Sequence, residues 1–262
     1  MLPPAKLTVN QFLADVHFCS MSKTDIPPAE RTNQQGQTIG RKGSQTRQRL
    51  MAAARKLLDA YSPVELTAVS IAKEAGTSSA SFYMYFEDVR DILFALATEA
   101  GAAMSAVHEV VREPWDADTV QEHSLRLVER FFEVWQAHRQ VLRFRNLEAD
   151  RGDPRFEALR MSTYVPFIDM LARQIVATCP PDQARPTLGQ AFALASVLHA
   201  AMERLATTDP AVVARYVGAP KVHAALAHVM RLVFSGGAPG TAGAGKAAAA
   251  KAKAPAKRKR KA

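Results

Sequence analysis

Residues 67–86 hold the side chains of this chain whose types and spacing best suit chemistry with a partner. Small, hydroxyl and aromatic residues follow one another there, in the order Ser78-Ser79-Ala80-Ser81-Phe82-Tyr83-Met84-Tyr85-Phe86. Hydroxyl groups bond to phosphate oxygens and to the edges of bases. Such contacts need a rigid element that presents the hydroxyls on one face, and the residues just before them predict one.

Two short helices joined by a glycine turn are predicted in this segment. Thr67 is a good N-cap, because its hydroxyl can accept from an orphan backbone N–H of the first turn. Gly76 supplies the positive φ that turns the chain after a helix. Ser78 offers the next N-cap, and Phe82 and Phe86, four residues apart, anchor the second helix to a core. This order of parts predicts a helix-turn-helix, although a capped helical hairpin without a partner has the same pattern.

A basic cluster precedes the motif at the start of the first predicted helix. It consists of Arg41, Lys42, Arg47 and Arg49. Cations at a helix N-terminus oppose the helix dipole, so their presence there needs another reason. We interpret them as an arm that neutralises phosphates or enters a minor groove, the alternative being an ordinary solvated helix start.

From Gln45 to about Gly101 the chain resembles the DNA-binding domain of TetR/AcrR-type transcriptional regulators. The run Ser81-Phe82-Tyr83-Met84-Tyr85-Phe86, placed after Ala75-Gly76, is the most specific part of the resemblance. A first helix with an apolar face contributes Leu50, Ala53, Ala54, Leu57 and Leu58. The resemblance implies an all-α fold, in which a three-helix helix-turn-helix domain is joined by a long helix to a C-terminal helical domain for ligand binding and dimerisation.

The resemblance also implies roles for individual positions. Residues that match Ser79, Ala80, Ser81, Tyr83 and Tyr85 face the DNA groove, and the one that matches Thr67 contacts a phosphate. Val89 stands where such regulators usually carry a lysine that contacts the DNA backbone. Arg90, the next residue, is the candidate to replace that contact, although it points about 100° away around the helix. The candidate DNA-binding residues are therefore Arg41, Lys42, Arg47, Thr67, Ser78, Ser79, Ala80, Ser81, Tyr83, Tyr85 and Arg90.

Composition agrees with a helical protein that has two folded domains. The chain has 262 residues, of which 48% are hydrophobic and 7% aromatic, and few β-branched runs occur. Cys19 and Cys179 lie too far apart in the sequence to predict a disulfide framework. No apolar run is long enough to cross a bilayer, and residues 1–20 lack the pattern of a secretory signal. We expect a cytoplasmic, nucleoid-associated protein with no membrane partner.

Four regions are predicted along the chain: a leader without a core at 1–40, the DNA-binding domain at 41–101, a helical ligand-binding and dimerisation domain at 102–235, and a basic tail at 236–262. The tail from Lys246 onward holds 8 of the 34 basic residues and no acid, so the rest of the chain is nearly neutral. Both ends are expected to be disordered. The tail is expected to add non-specific DNA affinity, the alternative being a solubility tail without a role.

Apolar periodicity predicts helices at 44–61, 88–113, 118–138, 141–150, 155–179, 187–207, 211–217 and 220–235. Gly101 and Pro166 lie inside two of them and predict a bend or a close contact, and a kink, respectively. The helices at 187–207 and 220–235 are apolar over more than one face. They are predicted to pair with a second copy of the chain, although central helices of a monomer would have the same composition.

A pocket for a mostly apolar small molecule is implied by the resemblance and is expected in the second domain. Its candidate lining residues are Met104, His108, Phe131, Trp135, Phe144, Asn146, Tyr164, Phe167 and Ile168, with His138 and Arg143 as further polar contacts. The alternative for this set is an ordinary aromatic core. Binding would shift the protein between two states with different spacings of the DNA-reading helices.

The sequence contains no glycine-rich phosphate loop, nucleophile elbow or carboxylate pair in a recognisable setting, so we expect neither an enzyme nor a cofactor. The seven histidines show no tight ligand spacing. The expected function is a dimeric regulator, most simply a repressor, that binds a palindromic operator and is released by a small molecule. A helical protein-interaction scaffold and a metal-responsive regulator of the same fold are the alternatives.

Overall fold

The computed structural model of the chain describes Gln34 and residues 40–235, and every regular element in that part is helical. Eleven α-helices are found there, α1 to α11, with a short 3-10 turn (Pro63–Glu65) after α1. Their bounds are α1 (Arg41–Leu57), α2 (Ala68–Glu74), α3 (Ser79–Tyr85), α4 (Val89–Ala103), α5 (Ser105–Arg112), α6 (Val120–Ala137), α7 (Arg139–Asp150), α8 (Pro154–Ala177), α9 (Leu188–Ala206), α10 (Pro210–Tyr216) and α11 (Ala219–Ser235). The predicted all-α class is confirmed. The basic tail and, apart from Gln34 and Gly40, the leader lie outside the described residues.

The first three helices form through the local signals that the sequence carries. Thr67 Oγ1 accepts from the backbone N–H of Ser70 at 3.0 Å, and Ser70 Oγ accepts in return from the N–H of Thr67 at 3.0 Å. Gly76 has a φ of +64° and turns the chain between α2 and α3. Phe82 and Phe86 are both buried against α1 and α2 in one apolar cluster. These contacts fix the position of α3 relative to α1 and α2.

The helix predicted over 88–113 is divided in the structure. Helix α4 ends at Ala103 and α5 begins at Ser105, with Met104 between them, so the prediction of one continuous helix is wrong. At the junction the N–H of Met104 bonds to the carbonyl of Gly101, three residues back, at 3.1 Å. A tighter turn of this kind interrupts the α-helical ladder.

At Gly101 the helix α4 closely approaches α8. A Cβ atom at this position would lie 3.2 Å from Oγ1 of Thr163, which is closer than side chains normally approach. The predicted close contact at Gly101 is therefore confirmed, and the absence of a side chain there allows the two helices to meet. Helix α8 itself continues through Pro166 from residue 154 to residue 177.

The C-terminal half is built around α6, α8, α9 and α11. Their buried side chains form one large apolar cluster, whose members include Phe131, Phe167, Leu198, Met202 and Met230. Local caps start two of these helices: Asp153 accepts from the N–H of Arg155 at 2.9 Å, and Thr187 and Gln190 form a capping box. No helix in the described part of the chain is long and apolar enough to cross a membrane.

The apolar cluster of α1 to α4, the part predicted above to be the DNA-binding unit and called so below, does not end at residue 101. Helices α7 and α8 contribute Val141, Phe144, Ala149 and Phe156 to it. Phe156 stacks edge-on against Phe94 of α4, with ring centroids 5.2 Å apart. The packing therefore joins the helix-turn-helix to the C-terminal half through α7 and α8.

Candidate functional site

Helix α3 separates a buried anchor from an exposed face. Phe82 is completely buried, whereas the side chain of Tyr83 is 55% exposed and Ala80 and Met84 also face solvent. Ser79 and Ser81 are half-buried at the edges of this face, whereas Tyr85 is half-buried and packs against the apolar cluster that holds Phe82. Because the helix repeats every 3.6 residues, residues 80, 83 and 84 share one side of it. Of the residues predicted to face the groove, Ala80 and Tyr83 therefore lie on one exposed side of α3, with Ser79 and Ser81 on its flanks.

The hydroxyl groups of Thr67 and Ser78 cap the N-termini of α2 and α3. Ser78 Oγ accepts from the N–H of Ser81 at 3.2 Å and lies 3.1 Å from Ser81 Oγ. Thr67 caps α2 in the same way. Both capping side chains are exposed, but Thr67 Oγ1 already donates to Ser70 Oγ at 3.1 Å. Because a phosphate oxygen only accepts hydrogen bonds and a hydroxyl has one donor, a phosphate contact by Thr67 would have to replace that bond.

The basic residues of α1 differ in their surroundings. Arg41 and Lys42 are exposed in the first turn of the helix, directly after the N-cap Gly40. The guanidinium carbon of Arg47 lies 5.1 Å from the ring centroid of Phe86, and Arg47 Nη1 donates to Met51 Sδ at 3.2 Å. Arg47 therefore packs against the residue that follows α3 and holds α1 next to the exposed helix.

Arg90 forms ion pairs with two acidic residues of the C-terminal half. Its Nη2 atom lies 2.5 Å from Glu148 Oε2 and donates to Asp153 Oδ2 at 2.8 Å. Glu148 is buried and also pairs with Arg151 at 3.0 Å. The residue considered as a phosphate contact at the start of α4 thus forms an ionic link from α4 to α7 and to the N-cap of α8.

The candidate ligand residues fall into three places. Met104, Phe131, Trp135, Phe167 and Ile168 lie in the large apolar cluster of the C-terminal half, and His108 stacks on Phe167 there. Phe144 lies apart from them in the apolar cluster of the DNA-binding unit, where it contacts Phe156 with ring centroids 5.6 Å apart. Asn146 and Tyr164 lie together in a group of polar side chains between α7, α8 and α9.

We call this group the polar cluster; its members are Arg145, Asn146, Tyr164, His199 and Glu203. Arg145 Nε and Nη2 donate to Asn146 Oδ1 at 3.1 and 3.0 Å, and Nη2 also donates to the Tyr164 hydroxyl at 2.6 Å. Glu203 Oε1 accepts from Asn146 Nδ2 at 2.5 Å and from the Tyr164 hydroxyl. The His199 ring packs edge-on against Tyr164 with centroids 4.2 Å apart.

Sequence reasoning missed Arg145, His199 and Glu203, although a signal for Arg145 was present. Val141, Arg145 and Glu148 follow one another at i, i+4 and i+7, so both charged residues lie on the buried face of α7. A charged residue at a core position is informative because such groups are rarely buried without a partner. His199 and Glu203 carry a weaker signal, since polar residues also occur at the edges of apolar helices.

Burial determines the ionisation of the cluster. It lowers the pKa of Arg145 and raises that of Tyr164. Burial, reinforced by the nearby charge of Arg145, lowers the pKa of His199 to about 4. The imidazole of His199 is therefore neutral at physiological pH.

The pKa of His199 predicts a pH dependence of stability. Its value of about 4 in the folded protein lies below the ordinary value of about 6.5, so the unfolded chain binds the proton more strongly. The free energy of unfolding is therefore unaffected by protonation of His199 above about pH 6.5. It falls by up to roughly 3 kcal/mol as the pH is lowered from there toward 4. Urea unfolding across this range should show that loss in the wild type and a much smaller one in His199→Gln. The exposed His228→Gln should retain it, and equal slopes in all three proteins would contradict the assignment.

A separate cavity of about 220 Å³ lies between the DNA-binding unit and the C-terminal half. It is lined by α1, α4 and the start of α7, through residues that include Arg55, Leu96, His138 and Arg139. None of the nine candidate lining residues borders it, whereas His138, named above as a further polar contact, does. Within the described residues, no group of three or more His, Cys, Asp or Glu side chains is arranged to hold a metal ion.

Comparison with known proteins agrees with this architecture. Residues 107–241 match the family model described as "Tetracyclin repressor-like, C-terminal domain", which is just over half of the chain. No curated protein sequence matches the chain significantly.

Among solved structures, the fatty acid degradation regulator FadR from Bacillus halodurans is 16% identical, with a TM-score of 0.54, covering 73% of this chain and 95% of its own. A protein of unknown function from Rhodococcus sp. RHA1 is 22% identical, with a TM-score of 0.56 and coverages of 74% and 95%. The regulator FadR from Bacillus subtilis, in complex with stearoyl-CoA, is 17% identical, with a TM-score of 0.52 and coverages of 72% and 98%.

At these identities the structural likeness establishes the fold, and the family model matches the helical C-terminal half independently. The chain therefore belongs to the TetR family of transcriptional regulators.

Proposed function

We propose that the protein binds a palindromic DNA operator as a homodimer, represses transcription there, and is released by a mostly apolar small molecule. The observation that carries the proposal is the exposed face of α3, which presents Ala80 and Tyr83 while Phe82 anchors the helix in the core. A short helix of this kind fits the major groove, where small, hydroxyl and aromatic side chains contact phosphates and base edges.

Two exposed stripes support dimerisation. Helix α9 exposes Ala193, Val197 and Ala200 at i, i+4 and i+7, and α11 exposes Ala225, Val229 and Leu232 at the same spacing. Val197 is 67% exposed and Leu232 50% exposed. Small and aliphatic side chains in line on two helices would be covered by the same stripes of a second copy, which gives a two-fold dimer. Two-fold symmetry in turn requires a palindromic operator.

The C-terminal half supports the small-molecule part of the proposal. The FadR structure from Bacillus subtilis contains stearoyl-CoA, so in that protein this fold accompanies a ligand with a long apolar chain. In the present chain, aromatic side chains surround the polar cluster, and Phe131 and Phe167 both contact the ring of His199. An apolar surround with a few fixed polar groups is typical of small-molecule sites.

The ionic link from Arg90 to Glu148 and Asp153 supports a route from ligand to DNA. Arg90 stands at the start of α4, shortly after α3, and its two acidic partners belong to the C-terminal half. A movement of α7 relative to α4 would change this link and the position of α3 together. A ligand shifts the balance between two such states only through its different affinities for them.

Tyr83→Ala is predicted to weaken specific DNA binding by about tenfold to a hundredfold, because it removes a side chain from the exposed face of α3 while the buried Phe82 still anchors the helix. The matched control is Tyr61→Ala, since Tyr61 is 52% exposed in the same domain but lies after α1. Genomic fragments retained by the wild type would be titrated with each protein in mobility-shift experiments at several salt concentrations. The proposal fails if no fragment is bound above random competitor, or if both variants bind as the wild type does.

A further inference from the structure

The guanidinium of Arg145 has bonding capacity that the described residues leave unused. The residue is only 1% exposed, and three N–H bonds from Nε and Nη2 reach Asn146 and Tyr164. Nη1 is buried and has no hydrogen-bond partner in the described part of the chain. A buried donor on a charged group is costly to leave unpaired, so a missing acceptor is expected beside it.

The positive charge of Arg145 also lacks a directly paired carboxylate. Each ion pair found at 4.0 Å or less within the described residues belongs to another cation. Glu203, the acid of the polar cluster, is bonded instead by Asn146 and by the Tyr164 hydroxyl. The charge of Glu203 therefore reaches Arg145 only through two neutral side chains, and a buried cation compensated so indirectly favours an added anion.

A second unsatisfied atom belongs to a residue that also packs against Tyr164. His199 Nε2 is buried without a hydrogen-bond partner in the described residues. The Tyr164 ring contacts both residues that carry unsatisfied atoms: the Arg145 guanidinium carbon lies 4.8 Å from its centroid, and the His199 ring centroid lies 4.2 Å away. Around them the surface is apolar, because Phe131 and Phe167 contact the His199 ring at 6.0 and 5.8 Å.

We propose that the polar cluster binds the carboxylate of an amphipathic acid, with Arg145 Nη1 as its charged donor and the apolar body of the acid beside Phe131 and Phe167. This inference rests on the proposed small-molecule response and specifies the chemical class of the effector. A monocarboxylate fits better than a phosphate, because Arg145 is the single cation of the cluster and Glu203 already supplies one negative charge.

The position of Arg145 connects such a ligand to the DNA-binding unit. Arg145 and Glu148 are three residues apart on the buried face of α7, and Glu148 binds Arg90 of α4. A carboxylate that draws Arg145 toward itself acts on the helix that holds Arg90. Helix α7 would therefore contact the ligand through Arg145 and contact α4 through Glu148, one turn later.

The test is direct binding of straight-chain carboxylates, from hexanoate to tetradecanoate, and of the primary alcohols of the same lengths, to the full chain without DNA. Fluorescence of the buried Trp135, whose ring centroid lies 6.2 Å from that of Phe131, reports occupation of the apolar cluster. At least one acid should bind about tenfold to a hundredfold more tightly than its alcohol, as a charged hydrogen bond implies.

Two variants assign the preference to the polar cluster. Arg145→Gln should abolish the preference for acid over alcohol, whereas Arg173→Gln, which removes an exposed arginine of α8 that lies outside the candidate pocket, should retain it. Glu203→Gln should tighten acid binding several-fold and leave alcohol binding unchanged, because it removes a competing negative charge. A purely structural role for the cluster does not predict this gain, so Glu203→Gln decides the matter even if Arg145→Gln fails to fold.

The proposal is overturned if no acid binds, if acids and alcohols bind equally, or if Glu203→Gln weakens acid binding. DNA binding measured separately on the same preparations keeps the two hypotheses apart. If the wild-type protein binds its operator but does not prefer acids over alcohols, only the carboxylate site is rejected. Absence of specific DNA binding rejects the proposed function and leaves the acid measurements valid.

Discussion

Replacing Val197 by glutamate is expected to turn a dimer into a monomer. Val197 lies in the middle of the exposed stripe of α9, between Ala193 and Ala200, and is 67% exposed among the residues that the structure describes. In a two-fold interface each substitution occurs twice, and each buried carboxylate costs several kcal/mol. A total of at least about 5 kcal/mol corresponds to more than about a thousandfold in the dimer dissociation constant.

Operator binding should fall with the dimer. A monomer holds one α3 helix and reads one half-site, so it loses the linked second contact, which we expect to weaken binding by about a hundredfold or more. Sedimentation velocity gives the oligomeric state, and mobility shift gives the affinity for the same operator fragment. Leu232→Glu on α11 should reproduce both effects, because it enters the same predicted interface from the other helix.

The matched control is Leu147→Glu, which places a carboxylate on an exposed leucine of α7, outside the two stripes. It should remain dimeric and bind DNA as the wild type does. A dimeric Val197→Glu protein would show that α9 is not the interface. A wild-type protein that sediments as a monomer would remove the dimer, and with it the palindromic operator, from the proposed function.

Phe156→Ala is expected to separate the unfolding of the DNA-binding unit from that of the C-terminal half. Phe156 is fully buried, and its ring contacts those of Phe94 and Phe144 at 5.2 and 5.6 Å. Removing a buried aromatic ring typically costs about 3–5 kcal/mol. Because Phe156 is the buried residue through which α8 packs into the core of the DNA-binding unit, its removal should weaken the packing between the two parts as well as lower the stability of the protein.

Two optical signals can separate the parts during denaturation. Both tryptophans of the chain, Trp115 and Trp135, belong to the apolar cluster of the C-terminal half, whereas far-UV circular dichroism reports all helices. In the wild type the two urea transitions should coincide. In Phe156→Ala the dichroism should fall at a lower urea concentration than the fluorescence, because the DNA-binding unit unfolds first.

Phe167→Ala is the control, since Phe167 is an equally buried phenylalanine of the same helix that lies wholly in the C-terminal cluster. It should lower stability by a similar amount while both signals still change together. Coincident transitions in Phe156→Ala, or a loss of stability below about 1 kcal/mol, would show that the shared core does not couple the two parts.

Much of the fold could be read from residues close together in the sequence. Thr67, Gly76 and Ser78 mark the ends of α2 and α3 by their own hydrogen bonds or backbone angles, so their pattern predicts those ends correctly. Thr187 and Pro154 act in the same way for α9 and α8. The predicted bounds of the later helices differ by only a few residues, because caps and apolar periodicity act within one or two turns.

The predictions that failed or missed residues concern partners distant in the sequence. The helix over 88–113 is periodic throughout, yet its division at Met104 accompanies the close packing of Gly101 against Thr163 of α8. The composition around Phe144 does not show that it packs beside Phe156, apart from the aromatic residues of the C-terminal half. The partners of Arg90, which remains a candidate phosphate contact, are likewise distant in the sequence: they are Glu148 and Asp153.

By itself, then, the sequence determined the helical class, the order of the helix-turn-helix and the exposed hydroxyl and aromatic residues of α3, because local geometry encodes these features. Only the tertiary structure decided that Arg145, Tyr164, His199 and Glu203 from three helices form one buried cluster, and that α7 joins it to the DNA-binding unit. The physical reason is that periodicity identifies which face of a helix is buried. It does not identify which other helix covers that face, and this choice determines which charges and rings meet.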